Sequence, residues 1–437
     1  MAIKPIRTTL KVILALGAIA GIAVGGYYGY RYYQKIKSEK KDVQNQKSDS
    51  SRAKENQGEK GSNNINREVI VPKNVEEMFY KPENLIRVGH WNILNYGSTE
   101  SSDKNGPKVR AIAELIYKSK QDVVGLTEIN YNRGEDVKNI VDVLNSINSN
   151  NSFKYLIQPT KDANPTSSNA TKEQVAIIYN YKRIKEKNFT NGKNIQSYGT
   201  TQKFQGTSYK RPLFAAYFET IEGSKPFVSI FGHLDSPAVG KNSTEKADKT
   251  YKGQGAQEVA EASEIANAFK YYEELSNNAS IIFGGDTNIK TENNRLFNSE
   301  NFIKNNIENY YGEMSIFEDK KTTTKAKKYE FYETSLGTNE KNGYANAYDK
   351  LLFKENGGLN IINEYEKTTY KDKKYQNVPF KADIINGFKN GIWDRNVILN
   401  LRPKLQLNKQ GKKISDFSFI RNKISDHTLV YLDFEIK

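Results

Sequence analysis

The chain of 437 residues has no cysteine. That excludes disulfide staples, thiolate metal sites, a cysteine nucleophile and a lipidated N-terminal cysteine. Histidine is nearly as scarce, with 3 residues, so catalysis by imidazole has few candidates. Long apolar runs are rare as well. Only residues 12–30 (VILALGAIAGIAVGGYYGY) lack charge over such a length, and a bilayer-spanning helix needs about 20 apolar residues. There is no internal repeat. The length suits one large domain or two ordinary ones, and either buries a sizeable core.

Charge is present in surplus. Lys plus Arg number 66 against 51 Asp plus Glu, a net charge of +15. Such a surplus fits an anionic partner such as nucleic acid or an anionic membrane. A composition rich in Lys, Asn, Ile and Tyr, as an AT-biased coding sequence gives, produces the same surplus without a partner. Residues 1–67 hold 13 Lys/Arg and 5 Asp/Glu, so more than half of the excess lies outside the remainder of the chain. The charge is therefore weak evidence for a nucleic-acid ligand.

Residues 1–33 read as a membrane anchor. Lys4, Arg7 and Lys11 precede the apolar run, and Tyr27, Tyr28, Tyr30, Tyr32 and Tyr33 close it, where amphipathic rings favour the interface. A cleaved signal peptide is the rival, with Ala18-Ile19-Ala20 as the cleavage signal. The apolar run continues past that signal, so an uncleaved single-pass anchor is expected, with the rest of the chain outside the cell. Cleavage would make the protein secreted. Residues 34–67 are polar, almost without large apolar side chains. Such a segment cannot offset its ordering entropy and reads as a disordered tether.

From residue 68 the pattern becomes that of a folded domain reaching to 437. Short apolar runs predict strands at 85–91, 122–127, 174–179, 213–218, 227–231, 280–283, 348–353 and 428–436. Helical spacing predicts helices at 109–117, 137–147 and 257–275. Strand pairs mixed with helical crossovers suggest a layered α/β sandwich. The polar stretches 290–346 and 354–423 read as insertions or long loops within that domain.

Acidic, amide and imidazole side chains recur where apolar strands begin or end. They are Asn92 after RVGHW, Glu128 after VVGLT, His233 after FVSIFG, and Asp286 and Asn288 after IIFGG. Asp349 opens DKLLF, while Asp426 and His427 precede TLVYLDF. Strand ends form the rim where layered α/β proteins hold ligands. Carboxylate and amide oxygens suit hard cations such as Mg²⁺ or Ca²⁺. Imidazole beside carboxylate suits proton transfer near neutral pH. His90, two residues before Asn92 on the same strand face, reads as a packed residue of the site floor.

These motifs match a family in kind and in order. WNI, LTEIN, FGHLDSP, GGDTN, AYDKL and SDH together resemble the endonuclease/exonuclease/phosphatase family, over about residues 83–437. Within it the chain looks most like the DNase I branch. KEQVAIIYN puts Glu173 where that branch pairs a Glu with its first catalytic His, and KRPLFAAYF puts Arg211 where it has a phosphate-contacting Arg. The apolar N-terminal run, polar tether and lack of cysteine also resemble the membrane nucleases of mycoplasmas.

The resemblance implies a four-layer α/β sandwich of two mixed, mainly antiparallel sheets flanked by helices. It also implies a divalent-metal-dependent nuclease acting on DNA, with RNA as a further substrate. The metal would be Mg²⁺, or Ca²⁺ or Mn²⁺ in its place, held by Glu128 with Asp426 and Asn92. Asp286 and Asn288 would orient water and phosphate oxygen. The pairs His427–Asp349 and His233–Glu173 would move protons, with His427 as base and His233 as acid. The bilayer, met through residues 12–30, is the other expected partner, and no obligate protein partner is implied.

Thr171 and Asn130 depart from the branch, which tends to have a sugar-stacking Tyr and a groove-reading Arg there. The same fold also serves sphingomyelinases and inositol-phosphate phosphatases, and fold alone does not choose among them. A catalytically dead binding protein is a third alternative, and the complete set of His–carboxylate pairs argues against it.

Overall fold

A computed structural model describes residues 75–436, apart from 149, 151, 164–170, 237–244, 311–331, 358 and 363–379. The apolar run 12–30 and the tether 34–67 lie outside the described residues. No described helix is long and apolar enough to cross a membrane.

In chain order the strands and longer helices begin with β1 (Leu85–Tyr96), α1 (Pro107–Lys118), β2 (Val123–Asn130), α2 (Val137–Ile147) and β3 (Phe153–Ile157). There follow β4 (Glu173–Asn180), β5 (Ile184–Glu186), β6 (Ile195–Tyr198), β7 (Leu213–Thr220) and β8 (Pro226–His233). Next come α3 (Ala256–Leu275), β9 (Ser280–Asp286), β10 (Glu308–Asn309), β11 (Asp349–Lys354) and β12 (Leu359–Ile362). The series ends with α4 (Arg395–Leu401) and β13 (Val430–Ile436).

The strands form two mixed sheets. One runs β12-β13-β1-β2-β4-β3, and the other runs β10-β11-β9-β8-β7-β5 with β6 also on β7. Each sheet has one parallel pair, β1 with β2 and β8 with β9; the other pairings are antiparallel. A parallel pair needs a crossover rather than a hairpin. The chain supplies α1 for the first and α3 for the second. Pro107 opens α1, where its missing N–H costs nothing.

Three apolar clusters show how the layers stack. Ile86, Val88, Ile177, Phe214, Phe231 and Ile282 join the two sheets. Val109, Ile112, Ile116, Val137 and Ile140 put α1 and α2 on the outer face of the first sheet. Ile265, Phe269 and Tyr272 put α3 on the outer face of the second. The order is helices, sheet, sheet, helix, an α/β sandwich. The sheets approach closely at Gly125 of β2, where an added Cβ would lie 2.1 Å from the Phe231 ring of β8. Even Ala at 125 forces that ring to move.

All three expected helices and all eight expected strands are present, most of them longer than the apolar pattern alone. β1 carries on past Asn92 to Tyr96 through a register shift, with Leu94 and Asn95 in the left-handed region. The stretch 290–346 contributes buried Leu296, Phe297 and Phe302, and 354–423 contributes buried Phe380, Ile384 and Trp393. Both expected loop regions thus carry core side chains and the edge strands β10 and β12.

Arg87 and Asp433 form a charged pair inside the fold. Arg87 of β1 makes a two-pronged bond to Asp433 of β13, at 2.7 and 2.9 Å, and donates to the carbonyl of Ser119 at 2.8 Å. Removing one partner leaves an uncompensated buried charge. Asp433→Ala should lower unfolding free energy by about 3–5 kcal/mol, read from urea unfolding monitored by circular dichroism.

The topology also places the chemistry. β1, β2, β8 and β9 end at the same rim, and they carry Asn92, Glu128, His233 and Asp286. β4 and β11 run antiparallel to their neighbours and start there, with Glu173 facing Asn130 and Asp349 facing Asp286 across the ladder. Asp426 and His427 arrive just before β13 begins.

Candidate active site

Two histidines from different sheets converge on one carboxylate. His233 Nε2 lies 3.6 Å from Asp286 Oδ2, and His427 Nε2 lies 3.5 Å from the same oxygen. Each ring is fixed from behind. His233 Nδ1 is 2.8 Å from Glu173 Oε2, and His427 Nδ1 is 2.7 Å from Asp349 Oδ2. A carboxylate accepts but cannot donate, so the proton on each Nδ1 is assigned by its partner. Nε2 is the atom that each ring presents to the cleft.

Asp286 is the hub of this arrangement and is only 1% exposed. Its Oδ2 also accepts from Asn92 Nδ2 at 3.0 Å, and its Oδ1 accepts from the Asn288 backbone at 3.0 Å. Asn92 donates as well to Glu128 Oε1 at 2.8 Å, and Glu128 Oε2 accepts from the Asn95 backbone at 3.0 Å. Glu128 and Asn288 both sit at positive φ, 60° and 54°. Left-handed backbone at non-glycine residues clusters where structure is over-determined for function.

Charge sets the protonation of the pairs. Burial pulls the His427 imidazole down, but Asp349 and Asp286 outweigh it and hold the ring well above its ordinary value. Burial and Arg211 pull His233 down, yet Glu173 and Asp286 leave it raised. Burial pushes Asp349 up, and His427 and His90 together hold it below the usual carboxylate range. Glu173 is also lowered, because His233 and Arg211 exceed the effect of its burial.

Arg211 is built into the wall. Its Nε donates to the His233 carbonyl at 2.9 Å, Nη2 donates to the Leu234 carbonyl, and Nη1 lies 3.5 Å from Glu173 Oε1. It braces the His233–Glu173 pair from behind. Asn288 Nδ2 donates to the same Leu234 carbonyl at 3.1 Å. Asp426 lies at the rim, with its side chain 28% exposed, and its charge reaches both His427 and Lys108.

Two further residues complete the site, the expected floor residue His90 and the unexpected Lys108. His90 is fully buried, with Nδ1 3.3 Å from Asp349 Oδ1 and Nε2 3.0 Å from Thr127 Oγ1. It is part of the floor, as its strand position predicts, and it also makes Asp349 a carboxylate shared by two histidines. Gly284 leaves the room this needs, since a Cβ there would lie 2.9 Å from the His90 Cβ. Lys108 of α1 is 5% exposed and donates to the Leu94 carbonyl. Burial pushes its ammonium down to about 7 against the pull of Glu128 and Asp426. No sequence motif marks Lys108.

The donor set fits a hard cation. Asp286, Asp349 and His427 each offer a ligand atom, all within 4.8 Å of one another. The Asp349 and His427 atoms are already bonded to each other through Nδ1, so that pair holds a proton better than a metal. The Glu128 and Asp286 carboxylates meet instead around the Asn92 amide nitrogen, while Asn92 Oδ1 accepts from the Leu94 backbone at 3.0 Å, and carboxylate oxygens suit Mg²⁺, Ca²⁺ or Mn²⁺.

Solved structures of the endonuclease/exonuclease/phosphatase family are similar to this chain. One is a family protein from Bacteroides thetaiotaomicron, at 11% identity, covering 81% of this chain and 98% of that one with a TM-score of 0.46. Another is the catalytic domain of human Nocturnin, at 14% identity, covering 82% and 96% with a TM-score of 0.43. A third is a mannosyl-6-phosphatase of Bacteroides thetaiotaomicron, at 11% identity, covering 80% and 99% with a TM-score of 0.45. By sequence, an uncharacterized protein of Mycoplasma pneumoniae is 33% identical over 158 residues, 36% of this chain. The match spans 29% of that protein's own length. No family model matches the chain.

Proposed function

We propose that this chain is a divalent-metal-dependent phosphodiesterase of the endonuclease/exonuclease/phosphatase family, with a DNase I-like fold, that hydrolyses DNA and also RNA. One observation carries the reading. Two histidines, each oriented by its own carboxylate, present Nε2 atoms 3.5–3.6 Å from a single oxygen of Asp286. That is the layout for one proton acceptor and one proton donor acting on the same small reacting group.

In this reading Glu128, Asn92 and Asp426 hold the cation, which when bound offsets the charge developing on the phosphate. His427 Nε2 takes a proton from water as its oxygen attacks phosphorus. The bond from phosphorus to the leaving 3′ oxygen breaks, and His233 Nε2 donates a proton to that oxygen. Asp286 and Asn288 orient water and phosphate oxygen. Asp349 and Glu173 keep the two rings in the required tautomer, and Arg211 holds the His233 side rigid. Residues 12–30 serve as a single-pass anchor that leaves the nuclease domain outside the cell, where it would release nucleotides for uptake. Retention of the full chain in alkali-washed membranes checks the anchor.

The test uses the full-length protein with plasmid DNA, single-stranded DNA, RNA, inositol phosphates and sphingomyelin, each with Mg²⁺ or with EDTA. Cleavage of nucleic acid with Mg²⁺ and its loss in EDTA are expected. Activity confined to sphingomyelin or inositol phosphates would overturn the reading. DNA cleavage that survives both EDTA and Asp286→Ala would do the same.

The proton roles have their own test. A thymidine phosphodiester with a p-nitrophenol leaving group needs no acid. His233→Ala should recover most of its lost rate on that substrate, while His427→Ala should stay about 10²–10⁴-fold down. Equal recovery of both variants would reject the assignment.

A further inference from the structure

Asp426 borders a cavity of about 310 Å³ that the hub does not use, near the lower end of sizes that hold small ligands. Its cationic lining comes from two places. Arg421 and Lys423 stand on the π-helical turn Ile420–Ile424, which leads directly into Ser425, Asp426 and His427. Lys108 faces them from α1. Single π-turns are rare and occur frequently at functional sites. Arg421, Lys423 and the buried Lys108 amine thus meet two carboxylates there, Asp426 and Glu100.

The two cations on the turn are aimed but weakly paired. Arg421 Nε donates to the Gly337 carbonyl at 3.0 Å, which fixes the arm, and its Nη1 donates to Asn422 Oδ1 at 3.1 Å. Its Nη2 lies 4.0 Å from Asp426 Oδ2, beyond hydrogen-bond distance. Lys423 Nζ is 3.6 Å from Glu100 Oε1, and that carboxylate is 52% exposed. Exposed pairs of this kind contribute little, so an arriving phosphate displaces them at small cost. A guanidinium fixed at Nε and Nη1 keeps Nη2, 4.0 Å from Asp426, to offer a phosphate oxygen.

We propose that this cavity is a subsite for the phosphate next to the scissile one on a polynucleotide strand, bound by Arg421 and Lys423. The proposal rests on the reading of the hub as a phosphodiester-cleaving centre. His427 and Asp426 are adjacent in the chain, one facing the hub and the other the cavity. A strand cleaved at His427 therefore passes its neighbouring phosphate over Arg421. The subsite favours a chain with several phosphates over a lone phosphomonoester.

The experiment compares two substrates in the full-length protein with Mg²⁺. One is a 12-nucleotide single strand of DNA, roughly the span a single-strand groove binds. The other is bis(p-nitrophenyl) phosphate, which has no second phosphate. In Arg421→Gln/Lys423→Gln, KM for the oligonucleotide should rise about tenfold with kcat held within about twofold, and the slope of log(kcat/KM) against log salt should shallow by about one per contact removed. Kinetics on bis(p-nitrophenyl) phosphate should not change. Lys423→Gln alone disturbs one exposed pair and should show a smaller shift of the same sign. An unchanged oligonucleotide KM in both variants overturns the subsite. So does an equal loss on both substrates, which would mean that the turn acts through Asp426. Wild-type protein that cleaves neither substrate overturns the underlying phosphodiesterase reading itself.

Discussion

Asp286→Ala should lower kcat on DNA by at least about 10⁴-fold while the protein stays folded. The size of the effect follows from how many groups meet at one carboxylate. Oδ2 lies within 3.0–3.6 Å of Asn92 Nδ2 and both histidine Nε2 atoms, and Oδ1 holds the Asn288 backbone N–H. Removing it takes away the negative charge that raises both imidazoles and frees Asn92 and Asn288 from their set positions. The loss falls on the transition state, so kcat should drop much more than KM changes. The cost to stability should be modest, about 1–3 kcal/mol for the hydrogen bonds lost. Asp286→Asn is the stricter version. It keeps the shape, but it turns an acceptor toward Asn92 into a potential donor and removes the charge. Plasmid relaxation and a thermal melt on the same samples give the two readouts. A loss of less than tenfold with an intact melt would place Asp286 outside the reaction centre.

The strand-end residues were legible because a buried strand has a simple signature. Apolar runs such as FVSIFG and SIIFGG announce where the chain is covered on both faces, and the first polar residue after them has to lie at the rim. Asn92, Glu128, His233 and Asp286 were therefore placed by local pattern alone. Glu173 and Asp349 sit at the starts of strands, and they join the same rim only because β4 and β11 run against their neighbours. Strand direction is a tertiary property, so local pattern marked Asp349 only as a strand-end acid, and the family resemblance had to supply Glu173 and the pairing of each carboxylate with its histidine.

The least legible parts are those that local sequence does not encode. The edge strands β5, β10 and β12 are 3, 2 and 4 residues long, too short for any period to register. The stretches 290–346 and 354–423 read as loops because their buried residues are dispersed among polar ones. Lys108 looks like one of many surface lysines until the helix it opens is packed with Glu128 and Asp426 nearby. Arg211 has bonds within the protein that no motif announces. The motif KRPLFAAYF implied a phosphate-contacting Arg at 211, whereas its bonds to the His233 and Leu234 carbonyls depend on strand β8 turning at that point.

Asp349→Asn tests the His427 pair through pH. In the wild type, Asp349 at 2.7 Å and Asp286 at 3.5 Å hold the His427 proton, so the imidazolium persists above its ordinary range. A base works only when neutral. The rate should therefore climb with pH through an acid limb whose midpoint lies above 6.5, the unperturbed value. Replacing the carboxylate by an amide removes the largest attraction on that proton, and the midpoint should move to lower pH. The plateau should fall as well, by about 10²–10⁴-fold, because an amide can also donate to Nδ1 and so stabilise the wrong tautomer. Stability should shift with the opposite pH sense. A raised histidine value stabilises the fold fully below 6.5 and loses that contribution as pH rises through the raised value. The lowered Asp349 value contributes above its usual range and is lost as pH falls. The melting-temperature difference between wild type and Asp349→Asn should then be widest in the mildly acidic window and narrow toward alkaline pH. A variant whose plateau falls while its acid limb stays in place would show that His427 is not the titrating base, and the limb would then have to be sought at His233.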